Sequence, residues 1–332
     1  MTKLSRGKVI TVCGEVAPAA LGAVLMHEHL VSNCRSWRER RPPQSWIDLL
    51  MDYAVPNLRK LNDSGCHAYV DCTPMPWRAS PDTYVKVSRA ASIHIVLCTG
   101  FYREMEVGSY WVRTKAQGIW PVVRQKRAAE LAEMCIRDIT EGVGKTKVRA
   151  GAIKVASSNA ELTPAEEKAF RAAALAQTVT GVHITTHCTQ PGAHISQLRA
   201  LTENGVDPAR VVVGHTMRHV VEERRTVREW MRRGATFCPT NLRIDGDWDF
   251  IRRFVRALRR YFDEGLGDHL VLGLDWAFET EQGHFLPCTY MPPPPYRYMF
   301  THVLPRFRAL GLEEKAIEQW LVVNPQRILP VQ

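Results

Sequence analysis

Gly22-Ala-Val-Leu-Met-His-Glu-His-Leu30 joins an apolar run to two histidines, and the rest of the chain is arranged around this stretch. Its centre, residues 24–26, is wholly apolar, which is typical of a strand buried on both faces. Because strand side chains repeat with a period of two, His27 and His29 are predicted to point to the same side. Neutral imidazole is a common zinc ligand, so the pair indicates half of a metal site. The alternative is that one histidine is a hydrogen-bonded core residue and the other lines a loop.

The composition is that of an ordinary globular protein, with 45% hydrophobic and 23% charged residues among 332. No apolar run reaches the roughly 18 residues of a transmembrane helix, and no apolar signal core follows the basic N-terminus. Nine cysteines, an odd number without a C-x-x-C pair, disfavour a disulfide framework and a zinc ribbon. We therefore expect a cytoplasmic protein with reduced thiols and no membrane association.

The formal net charge of +10 resides largely in arginines of mixed-sign, helix-like segments such as residues 222–233 and 252–260. A solvated helix face is the ordinary explanation for such segments. No basic motif interleaved with aromatic residues occurs, so no nucleic-acid partner is predicted. The charge could also favour anionic substrates through the general field of the protein.

Short β-branched or apolar runs alternate with helix-like segments along the chain. After a hairpin at residues 8–16 and the first core strand, the predicted strands are residues 68–73, 93–99, 150–156, 183–187, 210–215, 235–240 and 270–275. The predicted helices are residues 45–61, 81–91, 121–141, a helix with Thr163 as N-cap, 195–201, 220–233, 249–262, 296–310 and an extra one at 313–322.

This alternation predicts the α/β class, because strands joined by helices form a parallel sheet with right-handed crossovers. Eight strands and eight helices predict a closed (β/α)8 TIM barrel with a short N-terminal β-hairpin and a C-terminal extra helix. No break in composition divides the chain, so residues 1–332 are predicted to form a single domain. The longest irregular segment, Ala277–Pro295, is expected to lie over the mouth of the barrel.

Six residues of metal-ligand type fall at or near the carboxyl ends of predicted strands, where the active sites of such barrels lie. They are His27, His29, Lys154, His187, His215 and Asp275. These nitrogen and oxygen donors suffice for two divalent metal ions, with zinc preferred and cobalt, manganese or iron as alternatives. Each residue singly also has an ordinary structural explanation, such as a buried ion pair or a strand-end turn.

Lys154 stands out among these residues, since an unmodified ammonium group would be repelled by two metal ions. A lysine carboxylated by carbon dioxide is an anionic carbamate whose two oxygens could bridge both metals. The alternative is a structural ion pair between Lys154 and Asp275.

The chain resembles the phosphotriesterase family of the amidohydrolase superfamily from Gly7 to Leu329. The resemblance rests on Gly22-x4-His27-Glu-His-Leu30, Gly151-Ala-Ile-Lys-Val-Ala156, Gly181-Val-His-Ile-Thr-Thr-His187, Val213-Gly-His215, Gly273-Leu-Asp-Trp276 and Asn324-Pro-x-Arg-Ile-Leu329. It implies that His27, His29 and Asp275 hold a more buried metal ion and that His187 and His215 hold a more exposed one. Carboxylated Lys154 would join the two.

The resemblance also implies a mechanism, in which two metals about 3.5–4 Å apart bridge a hydroxide that attacks the substrate. Asp275, touching metal and hydroxide, would accept the proton as the catalytic residue. Glu28 alternates outward from the barrel and is expected to be structural.

The substrate is the point at which this sequence departs from the organophosphate hydrolases of the family. Their proton relay of an Asp after the strand-6 histidine and a His after strand 7 has no counterpart in residues 215–218 and 238–241. Tyr102 could fill the role of the lactonases' tyrosine, and Arg243 with Asn241 that of their arginine. Arg218 and His219 could instead bind an anionic group. Trp276 is a further candidate contact.

We therefore expect a binuclear metal-dependent hydrolase of a carboxylic ester or lactone, with phosphotriester hydrolysis as a side activity. The alternatives are an organophosphate triester hydrolase, an amide hydrolase, a metal-bound barrel that binds ligand without turnover, and a basic protein that binds polyanions. The expected partner is a small-molecule substrate, and a homodimer is left open.

Two further patterns are given little weight. Gly142-Val-Gly-Lys-Thr146 imitates part of a phosphate-binding loop, but Ile139 occupies the place of the first glycine. Cys188, Cys238 and Cys288 fall near the predicted mouth of the barrel, and we expect them to take no part in catalysis.

Overall fold

The structure of the protein, a computed structural model, describes residues 4–32, 44–75, 78–104, 120–244, 246–281, 284–287 and 294–332. Its strands are β1 (Val9–Thr11), β2 (Gly14–Val16), β3 (Ala23–Glu28), β4 (Val31–Ser32), β5 (Cys66–Asp71), β6 (His94–Gly100), β7 (Ala152–Ala156), β8 (His183–His187), β9 (Val211–Gly214), β10 (Thr236–Cys238), β11 (Phe278–Glu281) and β12 (His284–Pro287). Its α-helices are α1 (Gln44–Asn62), α2 (Pro81–Ala91), α3 (Trp120–Gln125), α4 (Ala128–Thr140), α5 (Pro164–Thr180), α6 (Ala193–Glu203), α7 (His219–Glu222), α8 (Arg224–Arg232), α9 (Trp248–Asp263), α10 (Leu304–Ala309), α11 (Glu314–Glu318) and α12 (Asn324–Ile328).

Seven strands form one parallel sheet in the order β10-β9-β8-β7-β6-β5-β3. The space between β10 and β3 is filled by residues 270–277, whose backbone bonds to both neighbours. Val271 N donates to the carbonyl of Phe237 at 3.1 Å, and Met26 N donates to the carbonyl of Leu272 at 2.9 Å. The sheet therefore curls into a barrel, and the predicted (β/α)8 TIM-barrel fold is confirmed.

The eighth member of the barrel, predicted as a strand over residues 270–275, forms no continuous ladder. Asp275 adopts a left-handed backbone with φ 63°. The amides of Leu274 and Trp276 donate to the carboxylate of Glu28 at 2.6 and 2.8 Å instead of to a neighbouring strand. The buried carboxylate of Glu28 thus takes the place of main-chain partners, and the structural role predicted for it is confirmed.

Helix α5 begins and ends where capping chemistry predicts. At the start of α5, Thr163 Oγ1 accepts from Glu166 N at 3.2 Å and Glu166 Oε2 accepts from Thr163 N at 3.1 Å, which is a capping box. The helix ends at Gly181, whose φ of 70° suits glycine. Two predicted helices are each divided in two, because Arg127 and Glu223 depart from helical backbone angles.

The termini close the end of the barrel opposite the strand carboxyl ends. β1 and β2 form the predicted hairpin, and Val12 N donates to the carbonyl of Ile95 at 2.9 Å. Gly7 N donates to the carbonyl of Val331 at 2.8 Å, which ties the two ends of the chain together. The predicted C-terminal extra helix is present as α11 and α12, joined by the π-helical turn Gln319–Val323.

The segment Ala277–Pro295 differs from its prediction as an irregular loop. Its described part contains a hairpin of β11 and β12, and β11 pairs in parallel with β4. Residues 282–283 and 288–293 lie outside the described residues. The sequence Phe-Glu-Thr-Glu of β11 is mostly polar, so no apolar pattern announces the strand. No helix in the described part of the chain is both long and apolar enough to cross a membrane.

Candidate metal centre

His27 in β3 and His29 directly after it converge on one carboxylate, as the strand period of two predicts. His29 Nε2 lies 3.0 Å from Asp275 Oδ1, and His27 Nε2 lies 3.6 Å from the same oxygen. His27 is fully buried and His29 nearly so. Asp275 reaches this position from the end of the eighth barrel segment, where its left-handed φ turns the side chain out of the strand direction.

Lys154, His187 and His215 complete the group from β7, β8 and the end of β9. Lys154 Nζ lies 2.9 Å from His27 Nε2, and His215 Nε2 lies 3.9 Å from Asp275 Oδ1. The imidazole centroids of His187 and His215 are 4.1 Å apart. All six predicted ligands therefore meet at the carboxyl ends of the barrel strands. Among the described residues Lys154 has no carboxylate within ion-pair distance, which disfavours a simple pair with Asp275.

The donor atoms of this group suit divalent metal ions. His187 Nε2 and His215 Nε2 are buried without a hydrogen-bond partner in the described part of the chain. A buried polar atom without a partner is costly, and a metal ion that accepts the lone pair removes that cost. Imidazole nitrogens together with a carboxylate are the donor set of zinc and its neighbours. His27, His29 and Asp275 also bring one ligand atom each within 4.8 Å of one another.

Two threonine hydroxyls orient the imidazoles. Thr73 Oγ1 lies 2.7 Å from His29 Nδ1, and Thr240 Oγ1 lies 3.1 Å from His215 Nδ1. Each contact leaves Nε2 turned towards Asp275. A hydrogen bond at the second ring nitrogen fixes the ring and its tautomer, which is how ligating histidines are usually held. Sequence reasoning missed both threonines, since they come from segments distant along the chain.

Small residues make room for His27. A Cβ atom added at Gly214 would lie 2.6 Å from Nδ1 of the His27 ring, and one added at Gly273 would lie 2.8 Å from His27 Cβ. His215 and Asn241, which follow β9 and β10, adopt left-handed backbones with φ of 62° and 56°. Such conformations are uncommon outside glycine and concentrate at functional sites.

Burial sets the protonation states of the centre. It lowers the pKa values of His27 and His187 well below the usual value for histidine, and it lowers the pKa of His215 to about 3. Burial alone would raise the pKa of Asp275, but the neighbouring His215 and the hydrogen bond from His29 outweigh it and hold that pKa below its usual value. Neutral imidazoles and an ionised carboxylate are the forms that bind divalent cations.

A cavity of ≈ 440 Å³ opens directly onto the centre. Its lining residues are His29, Thr73, Pro74, Tyr102, Arg103, Lys154, His187, Thr189, His215, Asn241 and Asp275. Tyr102 and Asn241 thus lie where the sequence places substrate contacts. Arg103, whose Nη1 lies 3.3 Å from Thr189 Oγ1, is a lining residue that sequence reasoning missed. Its position next to Tyr102 is the one feature of the sequence that could have identified it as a lining residue.

Four other candidate contacts lie outside the cavity wall, which corrects the expectation from sequence. Trp276 is fully buried and packs against Phe278 and Tyr296. Arg218 is exposed and its Nη1 lies 3.4 Å from Glu222 Oε1. Arg243 is also exposed, and His219 is buried with Nε2 3.0 Å from the carbonyl of Gln190. The sequence predicts the strand ends that precede these residues. It does not predict the directions of their side chains, because these depend on loop geometry.

The cysteines near the centre are poorly suited to attack a substrate. Cys188 and Cys238 are buried, and burial raises the pKa of each thiol well above its usual value. A thiol that stays protonated is a weak nucleophile. Cys288 lies outside the described residues.

Comparison with known proteins gives a family match over nearly the whole chain. Residues 7–329 match the model of the phosphotriesterase family. A phosphotriesterase homology protein of Mycobacterium tuberculosis is 28% identical over 328 residues, which cover 97% of each chain. An aryldialkylphosphatase of Saccharolobus solfataricus is 27% identical, over 92% of this chain and 94% of that protein. An N-acetyltaurine hydrolase of Mus musculus is 24% identical over 99% of each.

Solved structures show the same barrel. One of them, from the molecular engineering of organophosphate hydrolysis activity from a weak promiscuous lactonase template, superposes with a TM-score of 0.80 at 29% identity. The match covers 97% of this chain and 99% of that one.

Proposed function

The chain belongs to the phosphotriesterase family of hydrolases, and from that premise we propose that it is a binuclear metal-dependent hydrolase of carboxylic esters or lactones. The observation that carries the proposal is the convergence of five side chains on one centre beside the cavity: His27, His29, His187, His215 and Asp275. Nε2 of His187 and Nε2 of His215 are buried there without a hydrogen-bond partner among the described residues. The same geometry disfavours a barrel that only binds ligand, since a proton acceptor stands at the centre of the group.

The residues divide into two metal-binding sets. His27, His29 and Asp275 would hold one ion, and their ligand atoms already lie within 4.8 Å of one another. His187 and His215 would hold the second, and a carboxylated Lys154 would join the two. Divalent ions bound there would act as Lewis acids and would supply a nucleophilic water at neutral pH.

Asp275 would take the proton of the attacking water at Oδ1. That oxygen is within 3.0 Å of His29 Nε2, and the lowered pKa keeps the carboxyl ionised and able to accept. The proton would then pass to the leaving oxygen of the ester, so that the carboxylate is restored after each turnover.

Tyr102 would position the substrate opposite Asp275. Its ring packs edge-on against His187 at 5.2 Å between centroids. Burial raises the pKa of Tyr102 to about 12, so its hydroxyl keeps the proton that it would donate to a carbonyl oxygen. A hydrogen-bond donor aimed at the oxygen on which charge develops stabilises the transition state of acyl transfer.

Two observations support the preference for an ester or lactone over a phosphotriester. The carboxylate and histidine of the phosphotriester relay have no counterpart, because Met217 and Arg218 follow His215 and Cys238 ends β10. A relative of high structural similarity derives from a promiscuous lactonase template. A cytoplasmic location is proposed from the sequence alone.

A substrate panel on the metal-reconstituted protein tests this proposal. We expect kcat/KM for the best lactone or aryl ester to exceed that for any paraoxon-like triester. A triester rate equal to or above the best lactone rate would overturn the assignment of substrate class.

A second candidate, hydrolysis of an amide with an anionic group, is favoured by Arg103. Its guanidinium lines the cavity and is held at 3.3 Å by Thr189 Oγ1, where it could bind a carboxylate or sulfonate. The match to N-acetyltaurine hydrolases over 99% of each chain supports the same class. In the panel, N-acetyltaurine would then exceed uncharged acetamides, and Arg103→Ala would raise KM for the anionic substrate only.

A further inference from the structure

A second group of metal-ligand side chains lies outside the cavity lining, on the segments that follow β8 and β9. His194 is the second residue of α6, His219 is the first residue of α7, and Glu223 follows that helix directly. One ligand atom from each lies within 4.8 Å of the others. Both histidines are buried, with His194 fully so, and the Glu223 side chain is 23% exposed.

The hydrogen bonds around His194 fix its tautomer. Thr226 Oγ1 donates its single proton to the carbonyl of Glu223 at 3.0 Å, because a carbonyl can only accept. The same hydroxyl lies 3.0 Å from His194 Nε2, so it must accept from an Nε2–H group. Neutral His194 therefore carries its lone pair on Nδ1. That atom is buried, has no hydrogen-bond partner among the described residues, and faces Glu223 Oε2 at 3.6 Å.

A lone pair and a carboxylate oxygen repel each other unless a cation lies between them. A shared proton would draw the two atoms to hydrogen-bond distance, about 2.7–2.9 Å, but they stand 3.6 Å apart. On the other side, His219 Nε2 lies 3.8 Å from Glu223 Oε1. Two ligands of one tetrahedral ion, each about 2.0–2.2 Å from it, stand roughly 3.3–3.6 Å apart. The two distances from histidine to Glu223, one to each carboxylate oxygen, are therefore close to those between ligands sharing an ion.

We propose that His194, His219 and Glu223 bind a transition-metal ion of the zinc class at a site separate from the catalytic centre. Nδ1 of His194 needs no change of protonation to bind. His219 now donates from Nε2 to the carbonyl of Gln190 at 3.0 Å, and on binding its proton moves to the buried Nδ1. Glu223 is held in place by Gly192 N, which donates to Oε2 at 2.8 Å.

Cys188 makes zinc a better fit than magnesium or calcium. Its Sγ lies 3.6 Å from His219 Nε2, so a sulfur atom stands beside the cluster together with the carbonyl oxygen of Gln190, 3.0 Å from the same nitrogen. Imidazole and thiol donors select zinc-class ions over hard cations, which prefer oxygen ligands alone. The partly exposed Glu223 gives the ion a route of entry from solvent.

The ion would tie the loop after β8 to α7. This loop runs from His187 to α6, and α7 begins four residues after His215. None of the three ligands lines the cavity, so the site has a structural role and supports two catalytic ligands from outside.

Zinc content per chain tests the proposal. The full-length protein is depleted of metal with a chelator, reloaded with Zn²⁺ and freed of excess metal. Its zinc content is then measured by elemental mass spectrometry. Wild type should hold one more zinc per chain than His194→Ala or Glu223→Gln. The matched control His94→Ala, which removes a histidine at the amino end of β6, should keep the wild-type content. This difference of one does not depend on how many ions the catalytic centre binds.

Equal zinc content in wild type and both variants would show a hydrogen-bonded cluster only and would overturn the proposal. Loss of all zinc from His194→Ala would indicate misfolding of that variant. Glu223→Gln, which can still accept from Gly192 N, then decides: one zinc lost supports the site, and none lost refutes it.

Discussion

Asp275 is the residue on which the centre converges, since His27, His29 and His215 all face its Oδ1. In Asp275→Asn an amide oxygen can still contact a metal ion, but it cannot hold a proton at neutral pH. Because general-base catalysis contributes about 10²–10⁴-fold, we expect kcat to fall by that order.

The metal content of Asp275→Asn must be measured beside kcat to separate ligation from proton transfer. The expected result is measurable metal with low kcat. A variant with full metal and nearly unchanged kcat would show that the proton leaves by another route.

At the residue scale, the sequence predicts the metal-ligand residues better than the residues that hydrogen-bond to them. His27 and His29 are predictable because strand periodicity places them on one side. Thr73 and Thr240 are not, because each meets its histidine only once the barrel has closed. Arg103 lines the cavity and Trp276 is buried in the core. Neither direction is predictable, because both residues lie outside regular strands and no periodicity indicates where their side chains point.

At the scale of elements, the end of β9 is shaped by its contact with β3. A Cβ atom added at Gly214 would stand 2.4 Å from the carbonyl oxygen of Thr186 on β8 and 2.6 Å from His27 Nδ1, so there is no room for a side chain between them. Gly214→Ala should therefore displace His27 and reduce metal affinity by about 10–100-fold, the usual effect of disturbing a ligand's support. Titration with Zn²⁺ against a competing chelator measures the loss.

The control for Gly214→Ala is Gly246→Ala. A Cβ atom added at Gly246 would meet no described atom within 4 Å, and the residue has no positive φ, so the same chemical change should be neutral there. Equal zinc affinities in the two variants would contradict the role assigned to Gly214.

Strand and helix elements were largely predictable, whereas pairings without an apolar pattern were not. The run Ala-Ile-Lys-Val-Ala of β7 is buried throughout, and its pattern shows this. The hairpin of β11 and β12 pairs with β4 through β11. This pairing uses main-chain hydrogen bonds, which do not depend on residue type and therefore cannot be predicted from it. The eighth barrel segment departs from a ladder because Glu28 intercepts its amides, a contact across 246 residues of sequence.

For the whole molecule, buried neutral histidines make folding sensitive to acid. His183 is fully buried, and burial together with the charge of Arg210 lowers its pKa to about 3. An unfolded histidine titrates near about 6.5. Between these values the unfolded chain binds a proton that the folded chain does not, so stability is lost as pH falls below about 6.5.

His183→Met removes this titration without touching the metal ligands. In the metal-free protein, the free energy of unfolding should fall less steeply with acidification in the variant, by up to about 1.4 kcal/mol per pH unit. Urea unfolding between about pH 7.5 and about pH 5 measures both slopes. Identical slopes would mean that His183 is charged in the folded protein or uncoupled from its stability.

The most direct measurement on the whole molecule is a crystal structure of the zinc-loaded protein, with anomalous data collected at the zinc absorption edge. We predict two anomalous peaks in the cavity, one beside His27, His29 and Asp275 and one beside His187 and His215. Density for a carbamate should extend from Lys154 Nζ between them. A fully active crystal with a single peak in the cavity, or with a bare amine at Lys154, would contradict the binuclear centre proposed for this protein.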